Sequence, residues 1–121
     1  MSKIELGSKI DDNRGYIQNI LNISFNHCAM ITSKAGSIRS NHYHLTNSHY
    51  IFVVSGEMEY WERNLDGSDN KMILCKPNDL IFTGSNLIHK TVFTQDSVIM
   101  TFAANYRGPE FDQEDTVHME F

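Results

Sequence analysis

The chain has 121 residues, enough for one domain with a core of its own. Its 40% hydrophobic and 21% charged residues exclude global disorder, collagen and coiled coil. The net charge is −5, and most of it sits in residues 105–121, where Glu110, Asp112, Glu114, Asp115 and Glu120 face only Arg107, so the near-neutral body has no basic stripe for nucleic acid.

No apolar run approaches the roughly 20 residues of a membrane helix. Met1–Leu6 carries no apolar stretch long enough for a secretion signal, so a cytoplasmic location is expected. Asp11-Asp12-Asn13-Arg14-Gly15 is a turn cluster, and Tyr16–Leu21 reads as the strand after it. His27–Thr32 reads as a second strand, and Lys34-Ala35-Gly36-Ser37 breaks it. His49–Val54 is apolar, rich in β-branched and aromatic types, and ends at Ser55-Gly56. Glu57–Arg63 alternates, with Met58 and Tyr60 on one face and Glu57, Glu59 and Trp61 on the other. Residues 64–70 form a hairpin loop around Asp66-Gly67. Lys71–Cys75, Leu80–Phe82, Leu87–Phe93 and Ser97–Ala103 continue the series, and no stretch keeps a helical period. Short strands about ten residues apart indicate an all-β sandwich or barrel whose inward residues line a cavity. Cys28 and Cys75 form no CxxC pair and are expected reduced and buried. Met30, Met58, Met72 and Met100 read as core fillers.

Four of the six histidines, His42, His44, His49 and His89, fall near the middle of this series. His42 and His44 are two apart, so on a strand their rings share one face. The turn-like 45–48 segment resets the phase, so that His49 opens the next strand toward the same interior, with Ile51 and Val53. His89 starts a later strand, with Thr91 and Phe93 on its face. Neutral imidazoles suit Zn, Fe, Ni, Cu and, less often, Mn, which makes the four a candidate site for a divalent transition metal. Without a metal, a neutral imidazole is also a good acid or base near neutral pH, and clustered imidazoles resist charging together. Arg14, Arg39, Lys76 and Lys90 are candidates for holding a small anion; Arg14 and Arg39 read equally well as surface cations. Tyr60 is a candidate substrate contact, with rim or core packing the plainer reading for it, Tyr43 and Trp61. His27 and His118 read as structural or exposed.

The spacing resembles a known family. Gly36, five residues, His42-x-His44, four residues, His49, six residues and Gly56 are similar to the first cupin motif, with His49 where that family usually has Glu. Pro77-Asn78-Asp79 stands where cupins often have Pro-Gly-Asp, and Gly84 and His89 follow in the region of the second motif. The resemblance covers Gly36–Phe93. It implies a double-stranded β-helix, the cupin jelly-roll barrel, as a single domain over residues 1–121, with N-terminal strands in 1–35 and an acidic C-terminal segment in 105–121. His42, His44, His49 and His89 would then point into the barrel.

Arg39-Ser40-Asn41-His42-Tyr43-His44 resembles the Arg-Gly-Asn-His-Ala-His stretch of deoxysugar-nucleotide ketoisomerases. Asp12-Asn13-Arg14-Gly15-Tyr16 is similar to an Asp-x-Arg-Gly-aromatic stretch of sugar-nucleotide epimerases. Glu110–Val117 resembles the ending of small cupins from cell-surface polysaccharide gene clusters. Ser40 departs from the usual Gly, His118 stands where Arg is expected, and no tyrosine is assigned a catalytic part. These resemblances imply an epimerase or isomerase acting on a nucleotide sugar or similar small molecule. His42 and His44 would act as acid and base, and Arg39 would hold a phosphate. Open sheet edges in small barrels tend to be covered, so a homodimer is expected, without membrane or nucleic-acid partners. The alternatives from other classes are an Fe(II)-dependent oxygenase or lyase on a small organic acid, and a cupin that holds a sugar or metal without chemistry.

Overall fold

The computed structural model describes residues 3–45, 47–104 and 116–118, with Asn41 described by its backbone alone. The acidic residues 105–115 and 119–121, and Thr46 of the expected turn, lie outside the described residues.

The described strands are β1 (Lys9–Asp12), β2 (Gly15–Gln18), β3 (His27–Ser33), β4 (Ile38–His44), β5 (His49–Ser55), β6 (Met58–Asn64), β7 (Lys71–Cys75), β8 (Leu80–Thr83), β9 (Leu87–Phe93), β10 (Ser97–Ala103) and β11 (Thr116–His118). All pairings are antiparallel. β1 and β2 form a separate hairpin, four strands run β3-β10-β5-β8, and five run β11-β4-β9-β6-β7. The two larger sheets share a core: Ile51, Val53, Ile81 and Ile99 from one meet Met58, Tyr60, Cys75 and Phe93 from the other. Period-2 burial explains the membership. In β10, Ser97, Ile99, Thr101 and Ala103 are buried while Val98, Met100 and Phe102 are less so.

The turns follow local chemistry. Gly36 (φ 89°) and Gly56 (φ 87°), the two motif glycines, both lie in the left-handed region. At Gly56 a Cβ would collide with the Asp96 carbonyl and the Ser97 hydroxyl, and would lie 2.7 Å from the Ser97 Cα, so only glycine lets β10 approach this turn. Asn78 fills the position where cupins often have Gly, and it too adopts a positive φ of 73°, which Asn tolerates better than most residues. Asp79 completes that turn by accepting the Lys76 N–H at 2.8 Å.

Lys71–Cys75, Leu87–Phe93 and Ser97–Ala103 form over the expected ranges. Other expectations are corrected. The strand after the first turn ends at Gln18 rather than Leu21, where Asn19 turns its N–H back onto the Ser8 carbonyl. Cys28 is exposed on the outer face of β3, so only Cys75 is buried; burial pushes the Cys75 thiol up to about 11. Met30 and Met72 are also largely exposed and do not fill the core, unlike Met58.

Candidate functional site

The site is built on β4, β5 and β9, with β11 along its edge. In the β4–β9 ladder, Arg39 faces Thr91 and His42 faces His89. Directly opposed residues point to one side of a sheet, so these four side chains share the inner face. Strict alternation would part Arg39 from His42, which lie three apart. A register shift between Ser40 and His42 inserts an extra residue and restores the phase. Ser40 takes φ 78° at this bulge, the backbone state that glycine adopts without penalty.

The imidazoles converge as the spacing predicts. Ring centroids are 4.7 Å apart for His42–His44, 4.8 Å for His42–His89 and 5.8 Å for His44–His89. The nitrogens of these three that could bind a metal all lie within 4.8 Å of one another. His44 and His89 are each 1% exposed, and His42 is half-buried. His49 faces inward with Ile51 and Val53, its ring 5.9 Å from both His44 and His89, at the rim of the trio. Three nitrogen donors at this separation, two of them shielded from water, fit a borderline divalent transition metal.

Two of the rings have partners on their outer nitrogens. His89 Nδ1 lies 3.2 Å from the Leu87 carbonyl oxygen. A carbonyl can only accept, so in the neutral ring Nδ1 carries the proton and Nε2 is the basic atom. His44 Nδ1 lies 3.2 Å from the Thr116 hydroxyl. The His44 carbonyl accepts the Asn86 N–H at 2.8 Å, which ties the β8–β9 loop to the site.

Arg39, His42, His49 and His89 line a cavity of about 210 Å³, with Ile31, Ile51 and Ile99 as its apolar wall. This is smaller than the roughly 300–1,000 Å³ of sites that enclose a drug-sized molecule, so it accommodates a group of about sugar-ring size. Arg39 Nε donates to the Ser33 hydroxyl at 2.7 Å, and its Nη2 donates to the Thr32 carbonyl at 2.9 Å. Two of its five N–H groups are thereby used to fix it on β3. It also borders a second hollow, of about 630 Å³, with Lys34, Ser37 and Asp96.

Arg14 and Tyr60 are placed apart from this cavity wall. Arg14 is exposed on the β1–β2 hairpin, paired with its own Asp12 at 2.7 Å, and lines a separate hollow formed by that hairpin. Tyr60 is fully buried with its ring stacked 6.3 Å from His89. Its hydroxyl donates to Glu62 at 2.9 Å and accepts from Thr83 at 2.8 Å. Burial raises its pKa far above the usual phenol range, and the Glu62 carboxylate adds to this while the Thr83 bond opposes it. It stays a neutral phenol that backs His89.

Two residues near the site, Glu62 and Thr116, were missed by sequence reasoning. Glu62 lies directly opposite His89 in the β6–β9 ladder. The alternation that turned Met58 and Tyr60 inward carries one step further to this carboxylate. Thr116 and His118 lie opposite His44 and His42 in the β11–β4 ladder. His118 is exposed, in keeping with its reading as structural or exposed, and its ring lies 5.9 Å from that of His42. Only a tertiary pairing across 72 residues brings Thr116 to His44, and no local signal marks it.

No protein-family model matches the sequence, and no curated protein does either. Solved structures do match in fold. The chain is similar to QdtA, a sugar 3,4-ketoisomerase from Thermoanaerobacterium thermosaccharolyticum solved in complex with TDP, at 17% identity and TM-score 0.78, over 96% of this chain and 85% of that one. It is similar to the rmlC epimerase of Mycobacterium tuberculosis at 19% identity and TM-score 0.75, over 89% of this chain and 64% of that one. It is also similar to CapF, a capsular polysaccharide assembling protein of Staphylococcus aureus, at 20% identity and TM-score 0.72; there 97% of this chain covers only 35% of the other. The chain thus has the all-β cupin-type jelly-roll fold of these proteins. No helix among the described residues is long and apolar enough to cross a membrane.

Proposed function

We propose that this chain is an isomerase or epimerase of a nucleotide sugar, or a related small molecule, in surface-polysaccharide metabolism. The observation that carries the reading is the convergence of His42, His44 and His89, of which His42 and His89 line a sugar-sized cavity together with Arg39. The fold relatives support it, being named as a sugar 3,4-ketoisomerase, an epimerase and a capsular polysaccharide assembling protein.

The chemistry follows from the groups present. Moving a carbonyl along a sugar ring, or inverting a centre beside it, begins with loss of a proton from the carbon next to the carbonyl. The electron pair passes to the carbonyl oxygen, which is protonated to give an enediol or enol. Return of a proton to carbon, with loss of the hydroxyl proton from the oxygen that becomes the carbonyl, completes the change. His42 and His44 are assigned these transfers, one accepting at its bare nitrogen and the other donating. Arg39 keeps three N–H groups beyond those that anchor it, enough to hold a phosphate oxygen pair. Arg14 would meet substrate only if the hairpin reaches a site other than its own, and Tyr60 acts through the His89 ring it backs.

His42, His44 and His89, with His49 at the rim, are the residues that would hold a divalent transition metal (Zn, Fe, Ni or Mn). When bound it would supply Lewis-acid polarisation of a carbonyl or enolate oxygen. The same donors support the second reading, an Fe(II)-dependent oxygenase or lyase on a small organic acid, and the third, a non-catalytic sugar- or metal-binding cupin. We also propose that the chain works as a single cupin domain in the cytoplasm and pairs as a homodimer. The exposed Ile10, Tyr16 and Ile17 of the β1–β2 hairpin support the pairing.

The test is incubation with TDP-4-keto-6-deoxyglucose in deuterated water, followed by NMR, beside elemental analysis of the untagged protein. Deuterium should enter the sugar beside its carbonyl. The rate should fall about 10²–10⁴-fold in His42→Asn and in His44→Asn. Exchange that ignores both substitutions would overturn the assignment, and oxygen uptake dependent on Fe(II) would install the second reading. One equivalent of metal, lost in His44→Ala but kept in His118→Ala, is expected if the trio is a metal site.

A further inference from the structure

The two most buried histidines of the site differ in what holds their outer nitrogen. For His89 it is a backbone carbonyl of its own strand, two residues away. For His44 it is the side-chain hydroxyl of Thr116, from a strand 72 residues further on. Thr116 and His44 are directly opposed in the β11–β4 ladder, so the hydroxyl reaches the ring from the same inner face. Nδ1 of each ring has its partner at 3.2 Å. Leu87 can only accept, which leaves the His89 lone pair on Nε2. A hydroxyl can accept in the same way, or it can donate and reverse the ring.

We propose that Thr116 is the positioning residue of His44: its oxygen accepts the His44 Nδ1–H and so keeps the lone pair on Nε2, matching His89. The C-terminal strand is then part of the site although its own side chains do no chemistry. Two histidines presenting the same bare nitrogen can hold one metal ion or serve one substrate. A histidine in the opposite tautomer would point a proton at the ion or at the proton to be taken. The inference rests on the histidine cavity being the working site, and deepens that reading by tracing the state of one of its groups to β11.

The experiment compares the full chain with Thr116→Val, which keeps shape and removes the hydroxyl, and Thr116→Ser, which keeps the hydroxyl. Val117→Ala on the opposite face controls for loosening of β11. Histidine ring nitrogens are followed by ¹⁵N NMR without any ligand, and Zn(II) is titrated as the probe. In the wild-type chain, Thr116→Ser and Val117→Ala, His44 should carry its proton on Nδ1. In Thr116→Val the Nε2–H form should gain population, and Zn(II) affinity should fall about 10–100-fold. An unchanged His44 tautomer in Thr116→Val overturns the proposal. So does a Thr116→Ser variant that behaves like Thr116→Val, since packing rather than the hydroxyl would then matter. If Zn(II) binds no variant, the metal reading fails and the NMR comparison alone still decides the role of Thr116.

Discussion

Tyr60 ties together three parts of the wall behind the histidines. Its ring backs His89, and its hydroxyl links Thr83, which pairs with His49 in the β5–β8 ladder, to Glu62, which pairs with His89. Tyr60→Phe keeps the ring but leaves the buried Thr83 hydroxyl without its acceptor and Glu62 without its donor. Unfolding in denaturant should show a loss of about 1–3 kcal/mol. A loss of a few tenths would mean that water replaces the phenol there. The inward turn of Met58 and Tyr60 was legible from alternation alone, as was the shared face of His42 and His44. Glu62 was equally legible but was passed over, because a carboxylate in an alternating strand reads first as solvent-facing.

Among the elements, β4 decides the site. Its bulge lets Arg39 and His42 face the same cavity, and a non-glycine residue sits at its strained position. A left-handed conformation costs an L-residue roughly 1–2 kcal/mol, and glycine gives back part of this through its greater freedom when unfolded. Ser40→Gly should therefore raise stability by about 0.5–1 kcal/mol in thermal or denaturant unfolding, with metal or ligand binding unchanged. A destabilised Ser40→Gly would show that the serine contributes something the backbone angle does not reveal. Strand alternation does not disclose this bulge, because Ser announces a left-handed residue far less clearly than Gly does; the one hint is the Gly that the resembling ketoisomerase stretch carries at this position. Nor does alternation disclose β11, three residues in an acidic stretch that becomes a strand only because β4 presents an edge. Where strands are bounded by turn residues and alternate cleanly, as in Lys71–Cys75 and Ser97–Ala103, local chemistry was sufficient to place them.

At the scale of the whole molecule, the β1–β2 hairpin is the part least accounted for by one copy. Among the described residues its strands pair only with each other, and Ile10, Tyr16 and Ile17 are 65%, 54% and 69% exposed. A lone two-stranded hairpin is marginal in water, which supports the proposed pairing of chains through this arm. Ile17→Glu should lower the mass in sedimentation from two chains to one while the jelly-roll core keeps its unfolding midpoint. A monomeric wild-type chain would refute the pairing. The site histidines come from β4, β5 and β9, and therefore from both large sheets. No single strand carries them all, and the unfolded chain scatters them. Whatever occupies the cavity is thereby tied to the native state by mass action, adding about 2.7 kcal/mol to stability at a hundredfold excess over its Kd. Melting temperature thus becomes a readout of occupancy, able to rank nucleotide sugars, free nucleotides and metal salts before any of their chemistry is known.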